Sequence, residues 1–279
     1  MKEITGRIDL EFRDERGRTV VERQQFSGLL RASRPVYRGA GNCPEIQLVH
    51  LGPGCMDRDS YEQRLVLGKG TSAVVGFQSY AKLLPGAVGA TQRTTVMLEP
   101  GSRLTMKPNV VIPYPNCTYA STTSVHVSEG AQVTMSDILV HGQDTPPDAL
   151  ACNQVSLTTL AFRDAQLVLR DCLQVGLQSL GRGRVWAKGW PVLGSVYILG
   201  DVSRPLEQGL RQVIESFVEM DIQVGLSQIE HAGFVMRILG GRVQLVEHVI
   251  ERISAAVHSY HAGGDGQGRR MFDDSSATK

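Results

Sequence analysis

Apolar and polar residues alternate from the start of the chain. Ile8, Leu10 and Phe12 alternate with polar residues, Asp14-Glu15-Arg16-Gly17 is turn-forming, and Thr19-Val20-Val21 resumes a β-branched run. This pattern predicts a hairpin. Further on, one unit occurs three times: Leu67-Gly68-Lys69-Gly70-Thr71-Ser72-Ala73-Val74, Leu98-Glu99-Pro100-Gly101-Ser102-Arg103-Leu104-Thr105, and Val127-Ser128-Glu129-Gly130-Ala131-Gln132-Val133-Thr134. Each reads as the apolar end of a strand, a tight turn whose glycine takes positive φ, and a new alternating strand. A period of about thirty residues implies stacked units, each covering a face that a lone unit would leave in water. The predicted fold is therefore mainly β, either a β-solenoid (β-helical) body or a layered sandwich.

Beyond about Asp201 the apolar period changes from two to 3.6. Ser203 and Pro205 are placed as N-cap and first-turn residues, and Leu206, Leu210, Val213, Ile214, Phe217 and Val218 share one helical face. A second helix is predicted to carry Val243, Val246, Ile250, Ile253 and Val257, with Gly240-Gly241 before it and strands at 221–229 and 233–239 between the two helices. From Gly263 the composition is polar and cannot bury enough surface to order itself. The expected organisation is one β domain with two C-terminal helices over 1–261 and a disordered tail over 262–279.

Composition narrows the function classes. The 279 residues are 42% hydrophobic and 20% charged with a net charge of +1, so charge directs the chain to neither nucleic acid nor membrane. Residues 1–6 lack the apolar run of a secretory signal, no apolar stretch approaches the ~20 residues of a membrane span, and a cytoplasmic protein is expected. Five cysteines, odd in number and without a CxxC pair, fit reduced thiols.

Gly68-Lys69-Gly70-Thr71 lacks the first glycine of a phosphate loop, and there is neither a G-x-S-x-G nor an H-E-x-x-H motif. The densest polar patch is His50-Leu51-Gly52-Pro53-Gly54-Cys55-Met56-Asp57-Arg58-Asp59. It reads either as a Gly/Pro loop whose aspartates cap turns or as a set of transient contacts for a divalent metal such as nickel. His126 and His141 fall on or beside strands and read as structural. Polar groups interrupt the β pattern at Gln78-Ser79-Tyr80-Ala81-Lys82, at Asn109 and at Asp137. A carboxylate among apolar strand residues needs a partner or water. Lys82 is the candidate ion-pair partner of Asp137, and a watery passage is the alternative.

At these segments the chain resembles the urease accessory proteins UreD, also called UreH. The likeness runs from Gly6-Arg7-Ile8-Asp9-Leu10 through Gly28-Leu29-Leu30-Arg31, Arg34-Pro35-Val36-Tyr37 and the loop 52–59. It continues through Gln78-Ser79-Tyr80-Ala81-Lys82-Leu83, Val111-Ile112-Pro113-Tyr114-Pro115-Asn116 and Ser136-Asp137-Ile138-Leu139-Val140-His141-Gly142-Gln143, and ends with Gly194-Ser195-Val196 and Val235-Met236-Arg237-Ile238-Leu239-Gly240. The resemblance implies a β-helical protein with two helices and a non-catalytic role in urease maturation. Its partners would be the urease structural subunits, UreF and, through UreF, the GTPase UreG. Nickel would pass through it transiently, with no tightly bound cofactor.

Carried over residue by residue, the resemblance gives Asp59 and Asp137 as nickel-path carboxylates and Ser79 and Lys82 as polar lining, to which Asn109 is added as a polar break in the β pattern. Arg34, Pro35 and Tyr37, with the C-terminal helix, are the candidate partner surface. Asp57-Arg58 stands where many relatives have Gly-Gly, and arginine tolerates positive φ poorly, which leaves the shape of the loop open. Two other readings compete: a carbohydrate-acting enzyme on a β-solenoid and a purely structural interaction module.

Overall fold

The computed structural model describes residues 4–38, 41–140, 152–176, 190–201, 203–230 and 232–263. The chain begins with the predicted hairpin, β1 (Gly6–Glu15) and β2 (Arg18–Gly28), followed by β3 (Leu30–Ala32), β4 (Val36–Tyr37) and β5 (Pro44–His50). Three passages between sheets come next. β6 (Ser60–Leu67) turns into β7 (Ser72–Phe77), and β8 (Ala81–Leu83) lies on the way back. β9 (Ala90–Leu98) turns into β10 (Arg103–Met106) and is followed by β11 (Asn109–Pro113); β12 (Thr118–Val127) turns into β13 (Gln132–Val140). After β14 (Gln154–Arg163), β15 (Gln166–Val175) and β16 (Val192–Leu199) come α1 (Arg204–Glu215), β17 (Ile222–Ile229), β18 (Gly233–Gly240) and α2 (Val243–Gly263).

The three glycine turns explain the winding. Gly70, Gly101 and Gly130 have φ of 69°, 71° and 64°, the left-handed region open to glycine at little cost. The turns stack, with Gly70 N–H donating to Pro100 O at 3.0 Å and Gly101 N–H to Glu129 O at 3.1 Å. Stacked turns place the strands before them in one parallel set, β6, β9 and β12, and those after them in another, β7, β10 and β13. The first set lies in a seven-stranded sheet of order β15-β14-β12-β9-β6-β1-β2. The second lies in an eleven-stranded sheet whose main path is β17-β18-β16-β13-β10-β7-β5-β3.

Alternating side chains of both sheets meet in one core, among them Ile8, Leu10, Leu65, Val96, Leu104 and Val133. The opposite face of the second sheet packs under the helices through Ile138, Val196, Phe234, Met236, Val246 and Ile250. The layers are thus sheet, sheet, helices. Every residue of β16 is buried because it lies in the middle layer.

Ser203 caps α1 as predicted, its hydroxyl accepting from Leu206 N–H at 3.2 Å, and of the residues assigned to α2 Val246, Ile250, Ile253 and Val257 are buried along it while Val243 is half-buried. One expectation fails. Helix α1 ends at Glu215, so Phe217 is buried from the following turn while Val218 is 75% exposed instead of facing the core. His141 and the tail from 264 lie outside the described residues.

Candidate functional site

The site is built where the inter-sheet core changes from apolar to polar. In β6 the inward positions are Tyr61, Gln63, Leu65 and Leu67, so Gln63 breaks an apolar file. Strand register places Gln63 opposite Thr94, Thr94 opposite Thr123, Thr123 opposite Thr159, and Thr159 opposite Asp171. In the facing sheet Asn109 pairs with Asp137, Asp137 with Ser195 and Ser195 with Arg237. Two polar rows therefore cross the molecule on facing sheets. Arg237 and the Tyr197 hydroxyl both donate to Asp171, which ties the rows together at one end.

Two cavities open along these rows. The outer one, about 280 Å³, is bounded by His50, Cys55, Ser79, Tyr80 and Lys82. The inner one, about 30 Å³, has room for about one or two waters and is bounded by Thr94, Thr123, Met135 and Asp137. Gln63, Phe77, Gln92 and Asn109 line both. Gln63 Oε1 is buried with no hydrogen-bond partner in the structure, an acceptor turned toward this space.

Asp137 is the carboxylate of the inner cavity. Asn109 Nδ2 donates to its Oδ1 at 3.2 Å. Burial pushes its pKa up to about 6, with the Asn109 hydrogen bond and the nearby Arg237 charge opposing the rise. Of the two readings of Asp137, the Lys82–Asp137 ion pair is not formed. Lys82 is exposed at the outer cavity, because its short strand β8 pairs with β11 while Asp137 lies further across the sheet on β13. Ser79 is also exposed there, and Asn109 stands between the two cavities.

Asp59 is tied into its own loop. Its Oδ2 accepts from Met56 N–H at 2.7 Å and from the Tyr61 hydroxyl at 2.7 Å, and its Oδ1 accepts from Thr5 at 3.1 Å. With the Tyr61 proton committed to Asp59, the 2.9 Å contact between His50 Nε2 and the Tyr61 oxygen requires Nε2 to donate. Nδ1 then accepts from Gly52 N–H at 3.2 Å. All these bonds point toward Asp59, so His50 and Asp59 shape the loop by spending their polar atoms on it. Asp57 likewise caps a neighbouring turn, accepting from Val88 and Gly89 N–H. Arg58 takes φ of 69°, so the loop keeps left-handed backbone without glycine there. The Cys55 thiol is pushed up to about 12 by burial and the Asp59 charge, which holds it protonated.

Of the other candidates, Arg34 is exposed, Pro35 is half-buried, and the Tyr37 hydroxyl donates to Thr19 O at 2.9 Å under the Arg18 guanidinium. His126 stacks on Phe162 on the outer face of the first sheet. Among the described residues no three His, Cys, Asp or Glu side chains converge as metal ligands, and no helix is long and apolar enough to cross a membrane. Sequence reasoning missed Gln63, Gln92, Asp171, Tyr197 and Arg237. A polar residue at an inward position of an alternating strand, as at Gln63, was the available signal.

The chain is similar over nearly its whole length to proteins of known family. Residues 5–271 match the family model described as UreD urease accessory protein. Urease accessory protein UreD of Lachnoclostridium phytofermentans is 24% identical over 255 residues, covering 88% of this chain and 90% of the relative. That of Bacillus sp. strain TB-90 is 24% identical, covering 96% and 99%, and that of a Staphylococcus aureus strain is 23% identical, covering 91% and 92%. On that match, extending from the first hairpin through both helices, the chain belongs to the UreD family of urease accessory proteins.

Proposed function

We propose that this protein is a maturation scaffold that binds the urease apoprotein, recruits the UreF–UreG GTPase module and lets nickel pass through its interior toward the urease active site. The observation that carries this reading is the pair of neighbouring cavities that share Gln63, Phe77, Gln92 and Asn109 in their walls, the outer one bordered by exposed Ser79 and Lys82 and the inner one by Asp137. The donors along these cavities include the amide oxygens of Gln63 and Asn109 and the Asp137 carboxylate. That set suits a partly hydrated ion that must be released, since each 1.4 kcal/mol of excess affinity slows release about tenfold at constant association. Asp137 is the residue of this route that would meet the ion. Asp59 supports it by fixing the loop at the outer cavity, and Arg34, Pro35 and Tyr37 belong to the surface that partners would cover.

The test is activation of urease in the presence of the accessory partners. Asp137→Ala should lower nickel incorporation at least tenfold while the complex still assembles at wild-type stoichiometry. Full activation by that variant would sink the route. Failure of the unmodified chain to co-purify with urease subunits would sink the scaffold reading itself.

A further inference from the structure

Among the described residues the main strand paths of the two sheets end in four strands, β2, β15, β3 and β17, and three of these are blunted against pairing. β2 carries Arg18, Glu22 and Arg23, and its ladder with β1 shifts register at a bulge. β15 carries Arg170 and Asp171, and its ladder with β14 shifts as well. β3 is only 3 residues long. Short strands, charges and bulges are the usual protections of a sheet edge. β17 has none of them. Its 8 residues, Ile-Gln-Val-Gly-Leu-Ser-Gln-Ile, include no charge and no proline, and its register with β18 is unbroken from Ile222↔Gly240 to Ile229↔Gly233.

Among the described residues β17 pairs only with β18. Gln223, Gly225, Ser227 and Gln228 are exposed, and a side chain built at Gly225 would meet nothing within 4 Å. Val218 and Met220, 75% and 48% exposed, stand just before the strand. At its other end Gln228, Ile229 and Glu230 form one wall of a groove of about 1140 Å³. The strand also ends the inner polar row, because Gly225 is the register partner of Arg237 and lies three strands, about 14 Å, from Asp137.

We propose that β17 is a strand-addition site that takes an extended, uncharged segment of the urease apoprotein as the next strand of the second sheet. An open row of backbone N–H and C=O groups is matched by another extended strand, with alternate side chains filling the flanking surface. The lack of charge on β17 selects against acidic or basic segments. A second copy meeting it edge to edge would bury a contact only about 27 Å by 10 Å, well below the ~1,200 Å² of a stable interface. An extended segment can also reach the Val218–Met220 surface and the groove. The choice of urease as partner rests on the maturation reading, since a strand here lies in line with the polar row; the mode of binding rests on the edge alone.

The test measures binding of the full chain to its cognate urease apoprotein together with amide exchange over 222–229. The expected result is slowed exchange of those amides in the complex. Gln223→Lys/Ser227→Lys, which places charges at exposed edge positions and leaves the core untouched, should weaken binding at least tenfold with an unchanged Tm. Equal binding by that variant with no protection of 222–229 overturns the proposal and leaves the scaffold reading standing. No binding by the unmodified chain overturns both. Protection that grows with the concentration of this chain alone assigns the edge to a second copy and overturns the choice of urease.

Discussion

Asp137 shows what one residue costs and what it offers. Its pKa rises from 3.8 to about 6 on folding, so between those values the folded chain holds a proton that the unfolded chain has released. Stability is therefore greatest below the unfolded value and is lost as pH climbs through 6, to a cost of about 3 kcal/mol when the carboxylate is fully charged. Asp137→Asn should raise stability by about 1–3 kcal/mol near pH 8, with the gap closing toward pH 4, as urea unfolding at the two pH values will show. The variant would be more stable and, on the proposed function, less active. Asp59, paired with it in the sequence reading, is the opposite case. Residue type marked both as carboxylates in polar segments, but only the structure separates a carboxylate with one side-chain donor from one that accepts three hydrogen bonds.

Among the elements, the glycine turns were the most legible because their requirement is local. A left-handed residue at a fixed place in a tight turn leaves the same mark wherever it occurs. Gly101→Ala should cost about 1–2 kcal/mol, since the left-handed backbone is strained for any residue with a Cβ. The added methyl would meet only Gly70 Cα at 3.9 Å, an ordinary contact. A lowered urea midpoint with unchanged m-value is the expected signature, and an unchanged midpoint would contradict the left-handed strain assigned to this turn. Helix α1 was legible at its start for the same reason, through the Ser203 cap, and misread at its end. Phe217 and Val218 continue the helical spacing, yet the chain leaves the helix at Ser216 to reach β17, burying one and exposing the other.

At the scale of the whole molecule, the two sheets are joined across the polar region by Arg237 of one and Asp171 of the other. Arg237→Met should lower stability by about 2 kcal/mol, a value reduced because the guanidinium is 34% exposed, and should leave Asp171 with the Tyr197 hydroxyl alone. Denaturant unfolding of the variant tests this, and a change within 0.5 kcal/mol or so would mean the surrounding water replaces the pair. By itself the sequence determined the β character, the thirty-residue winding and the two helices, because alternation, turn chemistry and caps act over a few residues. Only the tertiary structure decided that Gln63 and Asn109 line both cavities, that Lys82 lies away from Asp137, and that among the described residues β17 pairs on one side alone. Those outcomes depend on which strands become neighbours, and strand pairing is set by contacts between residues far apart in the chain.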